Sequence, residues 1–207
     1  MDSLEEMHYF ATPVYSVKKT EFLEVVRSVS DRYMAEAIKK QQAEERGLLM
    51  TANYMLEPEL SEFSQYVSQT AWNILAAQGF AMESLVTYFT EMWTQEHRSM
   101  SSMETHVHGH GSQITCFYAL DAKPNGCKLV IHDPRPGKVI LNLPESNGSA
   151  ITLASHQIVF TLQPGMLVFF NSWLPHSLSK NLGDPVQYVH MNLSVAPIPV
   201  DPKVEVV

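Results

Sequence analysis

Short runs of apolar and β-branched residues dominate the second half of the chain. From Ser84 onward, turn sequences such as KPNG at 123–126 and PRPG at 134–137 separate these runs. Runs of this length between Gly- and Pro-rich turns predict β-strands. The predicted strands are SLVTYFTEMW, QITCFYAL, CKLVIHD, KVILNL, HQIVFTL, MLVFF and PVQYVHMNLSV. Many short strands at this spacing indicate a jelly roll, a barrel or a sandwich.

The first part of the chain has a different periodicity. Residues 9–17 alternate between apolar and polar positions and predict a short edge strand. After Thr20, apolar residues recur at helical spacing and predict a first helix that ends at Gly47. A second helix is predicted from Pro58 to Gly79. Neither helix carries a pattern of catalytic residues, so we expect both to pack against a sheet as an outer layer.

These elements predict one architecture for all 207 residues. The fold is predicted to be mostly β with N-terminal helices, as a double-stranded β-helix (jelly roll) braced by two α-helices. We expect a single domain over 1–207, with the N-terminal strand and helices at about 1–83 and the jelly-roll core at about 84–195. The proline-interrupted tail at 196–207 is predicted to lie along the surface.

Composition and charge exclude several classes of function. The net charge of −8, with no Lys- or Arg-rich patch longer than a pair, argues against nucleic acid as a partner. No apolar stretch is long enough to span a membrane, and the N-terminus lacks a signal core, so we expect a cytoplasmic protein. Cys116 and Cys127 are interpreted as buried thiols. The outer face of the two helices leaves room for a homodimer, which no sequence feature establishes.

The stretch ETHVHGHGSQITCFYAL carries the chemistry. His106, His108 and His110 occupy alternate positions that run into a predicted strand. Side chains two residues apart in an extended chain project to the same side, so two of these imidazoles can bind one metal ion. The best candidate for a third ligand from a distant strand is His176, in FFNSWLPHSL. The alternative is a solvated Gly/His loop ahead of the strand.

Ligand type alone does not choose the metal, because imidazole suits Fe(II), Zn, Cu and Ni. An open nitrogen and oxygen site inside a β-barrel favours iron chemistry with dioxygen. Such a site usually has two histidines and one carboxylate. In this chain, position 108 is His where Asp or Glu is expected.

Several motifs in order resemble one known family. HVHGHGSQITCFYAL, LVIHDPRP, PGMLVFFNSWLPHSLSKN and HMNLSV, with the opening FATPVY, are similar to the 2-oxoglutarate/Fe(II) oxygenases found in phages and marine bacteria. The resemblance implies a double-stranded β-helix with His106, His108 and His176 as ligands of Fe(II). His110 lies in what resembles a one-residue insertion and is an alternate ligand. The implied activity is 2-oxoglutarate-dependent hydroxylation of a small molecule or a protein side chain.

The chain departs from that family where the co-substrate binds. Related oxygenases place an Arg about ten residues after the last His, whereas this region reads GDPVQYVHMN. A carboxylate in a dry pocket needs a charged partner or several hydrogen bonds. The candidates for cofactor binding are Lys128, Arg135 or a protonated His190 as the cation, with Tyr118 as a second contact and Asn192 as a polar lining residue.

Two other functions fit the same motifs. The missing Arg and the His-x-His pair favour a three-histidine dioxygenase that binds its substrate directly to iron without 2-oxoglutarate. A cupin-like metal-binding or sensor module without catalysis is the alternative outside the enzymes. Oxygen consumption with oxo acids distinguishes these possibilities.

Overall fold

Ten β-strands and two α-helices are present in the part of the chain that the computed structural model describes, residues 5, 10–40, 47–109, 111–137 and 143–199. The strands are β1 (Val14–Lys18), β2 (Leu48–Met50), β3 (Leu85–His97), β4 (Met103–His106), β5 (Ile114–Asp121), β6 (Leu129–His132), β7 (Gln157–Phe160), β8 (Met166–Asn171), β9 (His176–Leu178) and β10 (Val186–Pro197). The helices are α1 (Leu23–Lys40) and α2 (Ser61–Ala77), which follow the short 3-10 turns Thr20–Phe22 and Pro58–Leu60.

The strands form two antiparallel sheets. The larger sheet has the order β1-β8-β5-β10-β3-β2, and the smaller sheet has the order β4-β9-β6-β7. From β3 to β10 the chain alternates between the two sheets, except that β6 and β7 are paired neighbours in the smaller sheet, and this connectivity fits a jelly roll. The fold is therefore the predicted double-stranded β-helix, mostly β with two helices.

Strand β5 shows how the two cores are divided. Every residue from Ile114 to Leu120 is buried, because both faces of the larger sheet are covered. Cys116 and Tyr118 face the layer that packs against α1 and α2, whereas Phe117 and Ala119 face the smaller sheet. A strand buried on both faces has a continuous apolar sequence, and its sequence alone does not identify the inner face.

Most predicted elements are present, and the differences lie in short pieces. The strands β2, β4 and β9 were not predicted, because each has only three or four residues. Each forms by pairing with a neighbouring strand, which the local sequence does not show. Helix α1 is described as far as Lys40, and residues 41–46, between it and the predicted helix end at Gly47, lie outside the described residues. The predicted strand KVILNL lies mostly outside the described residues.

The helices obey local rules at their ends. Pro58 occupies the first turn ahead of α2, where its missing N–H costs nothing. Glu24 in the first turn of α1 and Lys39 and Lys40 in its last turn complement the helix dipole. Neither helix in the described part of the chain combines the length and the apolar character that crossing a membrane requires.

A buried polar network closes the deep end of the barrel. The His97 ring is fully buried, with its Nε2 3.1 Å from the hydroxyl of Tyr188 and its Nδ1 3.2 Å from Oγ of Ser101. The Tyr188 hydroxyl donates to Oε1 of Gln95. Burial lowers the pKa of His97 to about 4, so this imidazole is neutral in the folded protein at neutral pH.

This depressed pKa predicts a loss of stability in mild acid. Below pH 6.5, the unfolded chain protonates His97, whereas the folded protein does not until about pH 4. The free energy of unfolding should therefore fall as the pH drops through this window, by up to about 1.4 kcal/mol per pH unit from this residue. Urea unfolding of the parent and of His97→Gln at several pH values measures how the free energy of unfolding changes with pH. Equal slopes for both proteins would contradict the assignment.

Candidate metal centre

Two strands of the smaller sheet bring the histidines together. β4 ends at His106 and β9 begins at His176, and these two residues are paired across the ladder. His108 lies two residues beyond β4, where its backbone N–H donates to the carbonyl of Ser172 at 2.9 Å. The ring centroids of His106 and His176 are 4.4 Å apart, and His108 lies 5.1 Å from each of them. One nitrogen from each ring lies within 4.8 Å of the other two.

Backbone carbonyls orient two of the three rings. Nδ1 of His106 lies 2.8 Å from the carbonyl of Glu104, and Nδ1 of His176 lies 3.0 Å from the carbonyl of Leu174. A carbonyl only accepts, so each Nδ1 carries the proton and each Nε2 presents a lone pair. Metal-binding histidines typically have this arrangement. Nε2 of His176 is buried and has no hydrogen-bond partner among the described residues.

The third ring is held from β10. Nδ1 of His108 lies 3.2 Å from Nδ2 of Asn192, and its Nε2 lies 3.2 Å from Nε2 of His190. Asn192 is itself held by Glu91, at 2.9 Å from Nδ2, and by the hydroxyl of Thr115, at 2.9 Å from Oδ1. Nδ2 of Asn192 donates to Nδ1, so Nε2 of His108 carries the proton of the neutral ring. Metal binding at Nε2 would require that proton on Nδ1 and the amide oxygen of Asn192 turned toward it.

Burial keeps the imidazoles of His108, His176 and His190 neutral. It lowers the pKa of His176 to about 3 and the pKa of His108 to about 4, and neighbouring histidines lower both further. The same burial lowers the pKa of His190 well below its ordinary value. A neutral imidazole has the free lone pair that a metal needs. The rings of His106, His108 and His176 around a shared space fit Fe(II), and the orphaned Nε2 of His176 is the observation that supports this fit.

Only some of the residues predicted to bind the co-substrate lie beside the three histidines. His190 and Asn192 both contact His108. Lys128, however, donates its Nζ to the carbonyl of Pro124 in its own turn. Arg135 is 60% exposed and forms two hydrogen bonds to Asp133, at the edge of a separate recess of about 280 Å³ that none of the three histidines lines.

Two sequence interpretations of the co-substrate site need correction. Tyr118 faces α1 and α2, and its hydroxyl donates to the carbonyl of Lys19 at 2.6 Å, so it lies on the opposite face of β5 from the histidines. His190 does not supply a positive charge at neutral pH, because its burial disfavours the protonated form. Within the described part of the chain, no Lys or Arg is buried. The candidate His110 lies outside the described residues.

Sequence reasoning missed two aromatic residues beside the centre. Phe117 packs edge-on against His176 and His190, with centroid distances of 5.7 and 5.2 Å. Trp93 stacks on His190 at 4.4 Å with an interplanar angle of 24°. Phe117 precedes Tyr118, the predicted co-substrate contact. The two side chains lie on opposite faces of β5, and the sequence does not show which face points to the histidines. Trp93 ends a predicted strand, and the sequence around it does not show that this strand pairs with the distant strand that carries His190.

The fold and the centre together define a class. A double-stranded β-helix with three convergent imidazoles at one end of the barrel is the arrangement of a metal-dependent enzyme with open coordination positions. Residues 91–188, which contain all three histidines, match the family described as "Putative 2OG-Fe(II) oxygenase". This match covers just under half of the chain, and it shows that the matched segment is similar to non-haem iron dioxygenases, whose cofactor is Fe(II) and whose co-substrate is 2-oxoglutarate. A phage or marine bacterial source stays a prediction.

Solved structures support the fold assignment. A prolyl-4-hydroxylase from Pseudomonas putida has a TM-score of 0.57 at 11% identity, covering 88% of this chain and 92% of its own. The non-haem α-ketoglutarate-dependent carbocyclase SnoK from nogalamycin biosynthesis has a TM-score of 0.60 at 12% identity, covering 88% and 79%. HygX from Streptomyces hygroscopicus, with nickel, 2-oxoglutarate and hygromycin B bound, has a TM-score of 0.55 at 10% identity, covering 88% and 83%. No curated protein sequence matches this chain.

Proposed function

We propose that His106, His108 and His176 hold the Fe(II) of this oxygenase and that the enzyme hydroxylates a C–H bond. One observation carries the ligand assignment. Nε2 of His176 is buried without a partner among the described residues, and it shares a space with one nitrogen of each of the other two rings. A buried polar atom without a partner is unfavourable, and a metal ion in that space would remove the cost.

The protein contributes orientation around this ion. The carbonyls of Glu104 and Leu174 hold the protons of His106 and His176 on Nδ1, so their lone pairs point inward. Asn192 holds the third ring from the opposite side. Phe117 and Phe170 pack against His176 and cover it from the interior of the barrel, which limits the access of water.

When bound, iron with 2-oxoglutarate activates dioxygen, so that one oxygen atom enters the substrate and the other enters succinate, which forms together with CO₂. The surrounding residues bind, orient and limit side reactions, as is general for cofactor enzymes. We propose that His190 and Asn192 line the side of the centre where 2-oxoglutarate lies, since both contact His108.

The substrate is proposed to be a small molecule or a protein side chain. The similar structures include a prolyl-4-hydroxylase and a carbocyclase from nogalamycin biosynthesis, which supports this breadth without selecting between the two substrate classes. A single domain over the whole chain, a cytoplasmic location, a homodimer and the absence of nucleic-acid partners stay predictions from the sequence. Succinate formation that depends on an added compound would identify a substrate.

The direct test is an anaerobic titration of the Fe(II)-loaded protein with 2-oxoglutarate, followed through the weak metal-to-ligand charge-transfer band in the visible. We expect a saturable band with one equivalent of iron. The Lys128→Ala variant is the matched control. It should titrate within about twofold of the parent, because the exposed Lys128 ammonium bonds to its own turn.

Three outcomes separate the candidate functions. A saturable band in both proteins supports the proposal. Tight iron binding without a band contradicts it and favours the three-histidine dioxygenase, for which the lack of a buried Lys or Arg in the described barrel is the structural argument. Iron binding without oxygen consumption across oxo acids and thiols favours the cupin-like metal-binding module.

A further inference from the structure

The described residues contain three buried side-chain polar atoms without a hydrogen-bond partner: Nε1 of Trp93, Nε2 of His176 and Nδ1 of His190. The proposed metal accounts for the atom of His176. The other two have no role in that proposal. Because buried polar atoms are nearly always paired in folded proteins, two adjacent exceptions require an explanation.

These two atoms belong to neighbouring side chains. Trp93 on β3 and His190 on β10 are paired directly across the ladder, so their side chains lie on the same face of the sheet. Their rings stack with centroids 4.4 Å apart. The His190 ring also lies 4.7 Å from the ring of His108. The pair is therefore immediately beside the proposed metal centre.

The hydrogen bonds of His108 determine which nitrogen of His190 carries the proton. Nδ1 of His108 accepts from Nδ2 of Asn192, so Nε2 of His108 carries its proton. This N–H donates to Nε2 of His190, 3.2 Å away. The single proton of a neutral His190 then lies on Nδ1. The two orphaned atoms of the pair are in that state both N–H donors.

The chemistry of these donors selects the ligand. The indole N–H only donates, so its partner must be an acceptor, which excludes ammonium and guanidinium groups. Two buried N–H donors on neighbouring side chains match the oxygens of a carboxylate. The described interior offers this carboxylate no buried Lys or Arg. The donors lie on β3 and β10, and β10 contains the region where the resemblance to known oxygenases implies an Arg.

We propose that Nε1 of Trp93 and Nδ1 of His190 bind the carboxylate of 2-oxoglutarate that does not contact the metal, in place of the Arg that this chain lacks. This inference rests on the proposed function, since it requires 2-oxoglutarate at the histidine centre. In this proposal Trp93 is a binding residue. Any aromatic side chain could stack on His190, so stacking alone does not explain the indole N–H at this position.

The test observes the indole N–H directly. The protein is loaded with Zn(II), which has no unpaired electrons, labelled with ¹⁵N at tryptophan, and titrated with 2-oxoglutarate and separately with pyruvate. Three indole resonances are expected, one for each tryptophan. Trp93→Phe assigns its resonance by removing it. Trp72, whose indole N–H donates to the carbonyl of Leu85 at 2.9 Å, and the exposed Trp173 are internal references.

The expected result has two parts. The Trp93 resonance should move downfield with 2-oxoglutarate but not with pyruvate, which has no second carboxylate. Trp93→Phe keeps a stacking ring and loses only the donor, so it should bind 2-oxoglutarate roughly ten- to a hundredfold more weakly while its Zn(II) affinity is unchanged. The matched variant Trp173→Phe should bind 2-oxoglutarate like the parent, because the Trp173 ring is 53% exposed.

Other results would contradict either the carboxylate site or the proposed function. If 2-oxoglutarate binds but the Trp93 resonance does not move, the carboxylate site is wrong and the oxygenase proposal stands, with water as the partner of these atoms. If pyruvate moves the resonance equally, the pair contacts the metal-binding carboxylate instead. If 2-oxoglutarate does not bind to the Zn(II) or the Fe(II) protein, the proposed function itself fails. The titration of the parent decides these cases even if Trp93→Phe does not fold.

Discussion

A His176→Ala variant is expected to bind Fe(II) more than about a hundredfold more weakly than the parent and to lose the charge-transfer band with 2-oxoglutarate. Changes in groups that only support a metal ligand cost ten- to a hundredfold in affinity, and removing a ligand should cost more. His176 is also the most enclosed of the three rings, and its Nε2 has no alternative partner among the described residues. Iron binding is measured by equilibrium dialysis under anaerobic conditions.

His132→Ala is the matched control for this experiment. His132 lies on β6, next to β9, and its Nε2 is 2.9 Å from the hydroxyl of Ser177, outside the group of three converging nitrogens. We expect iron affinity close to that of the parent. Stoichiometric iron in His176→Ala, or an equal loss in His132→Ala, would show that these three histidines are not the site.

A Phe117→Ala variant is expected to lose about 3–5 kcal/mol of the free energy of unfolding, the usual cost of removing a buried aromatic ring. The Phe117 ring is 1% exposed, and it contacts Tyr188 and Phe170 in addition to His176 and His190. Its loss leaves a cavity at the inner wall of the metal centre. Chemical denaturation measures the stability, and iron affinity should fall as well because two histidines lose their support.

Phe80→Ala separates this effect from the general loss of a phenyl group. The Phe80 side chain is 58% exposed, so its removal should change stability by no more than about 0.5 kcal/mol. A change below about 1 kcal/mol for Phe117→Ala would mean that the barrel collapses around the missing ring. The packing described between the two sheets would then not determine the position of the histidines.

The uncharged ligand set has a consequence for the co-substrate. Three neutral imidazoles leave the full double positive charge of Fe(II), whereas the usual set with one carboxylate removes half of it. The dianion 2-oxoglutarate would balance this charge. A binding site built from neutral donors such as Trp93 and His190 is compatible with that balance, since the metal itself supplies the positive charge near the ligand.

The metal ligands could be proposed from the sequence because their signals are local. The alternation of His106 and His108 specifies two side chains on one side of an extended segment, and His176 was the best candidate for a third ligand from a distant strand, as the resemblance to known oxygenases also implies. Even so, β4 and β9, which pair His106 with His176, were not predicted. Their few residues carry too weak a pattern, and they are strands only because their neighbours pair with them.

The co-substrate side of the centre was predicted less well, and Tyr118 and Phe117 show why. Both are buried residues of a strand that is covered on two faces, so alternation separates them but does not say which one faces the histidines. That choice depends on where the helices pack. Lys128 illustrates the same limit, because its sequence neighbourhood does not reveal that its Nζ folds back onto Pro124.

By itself, the sequence determined the class of fold, the two helices and the histidines that form the proposed centre, because periodicity, turn residues and short motifs are properties of neighbouring positions. The tertiary structure decided which face of each strand is the interior, the exclusion of Lys and Arg from the described barrel, and the stacking of Trp93 on His190. These features join residues far apart in the chain, and their physical basis is the packing of one layer on another, which no local pattern encodes.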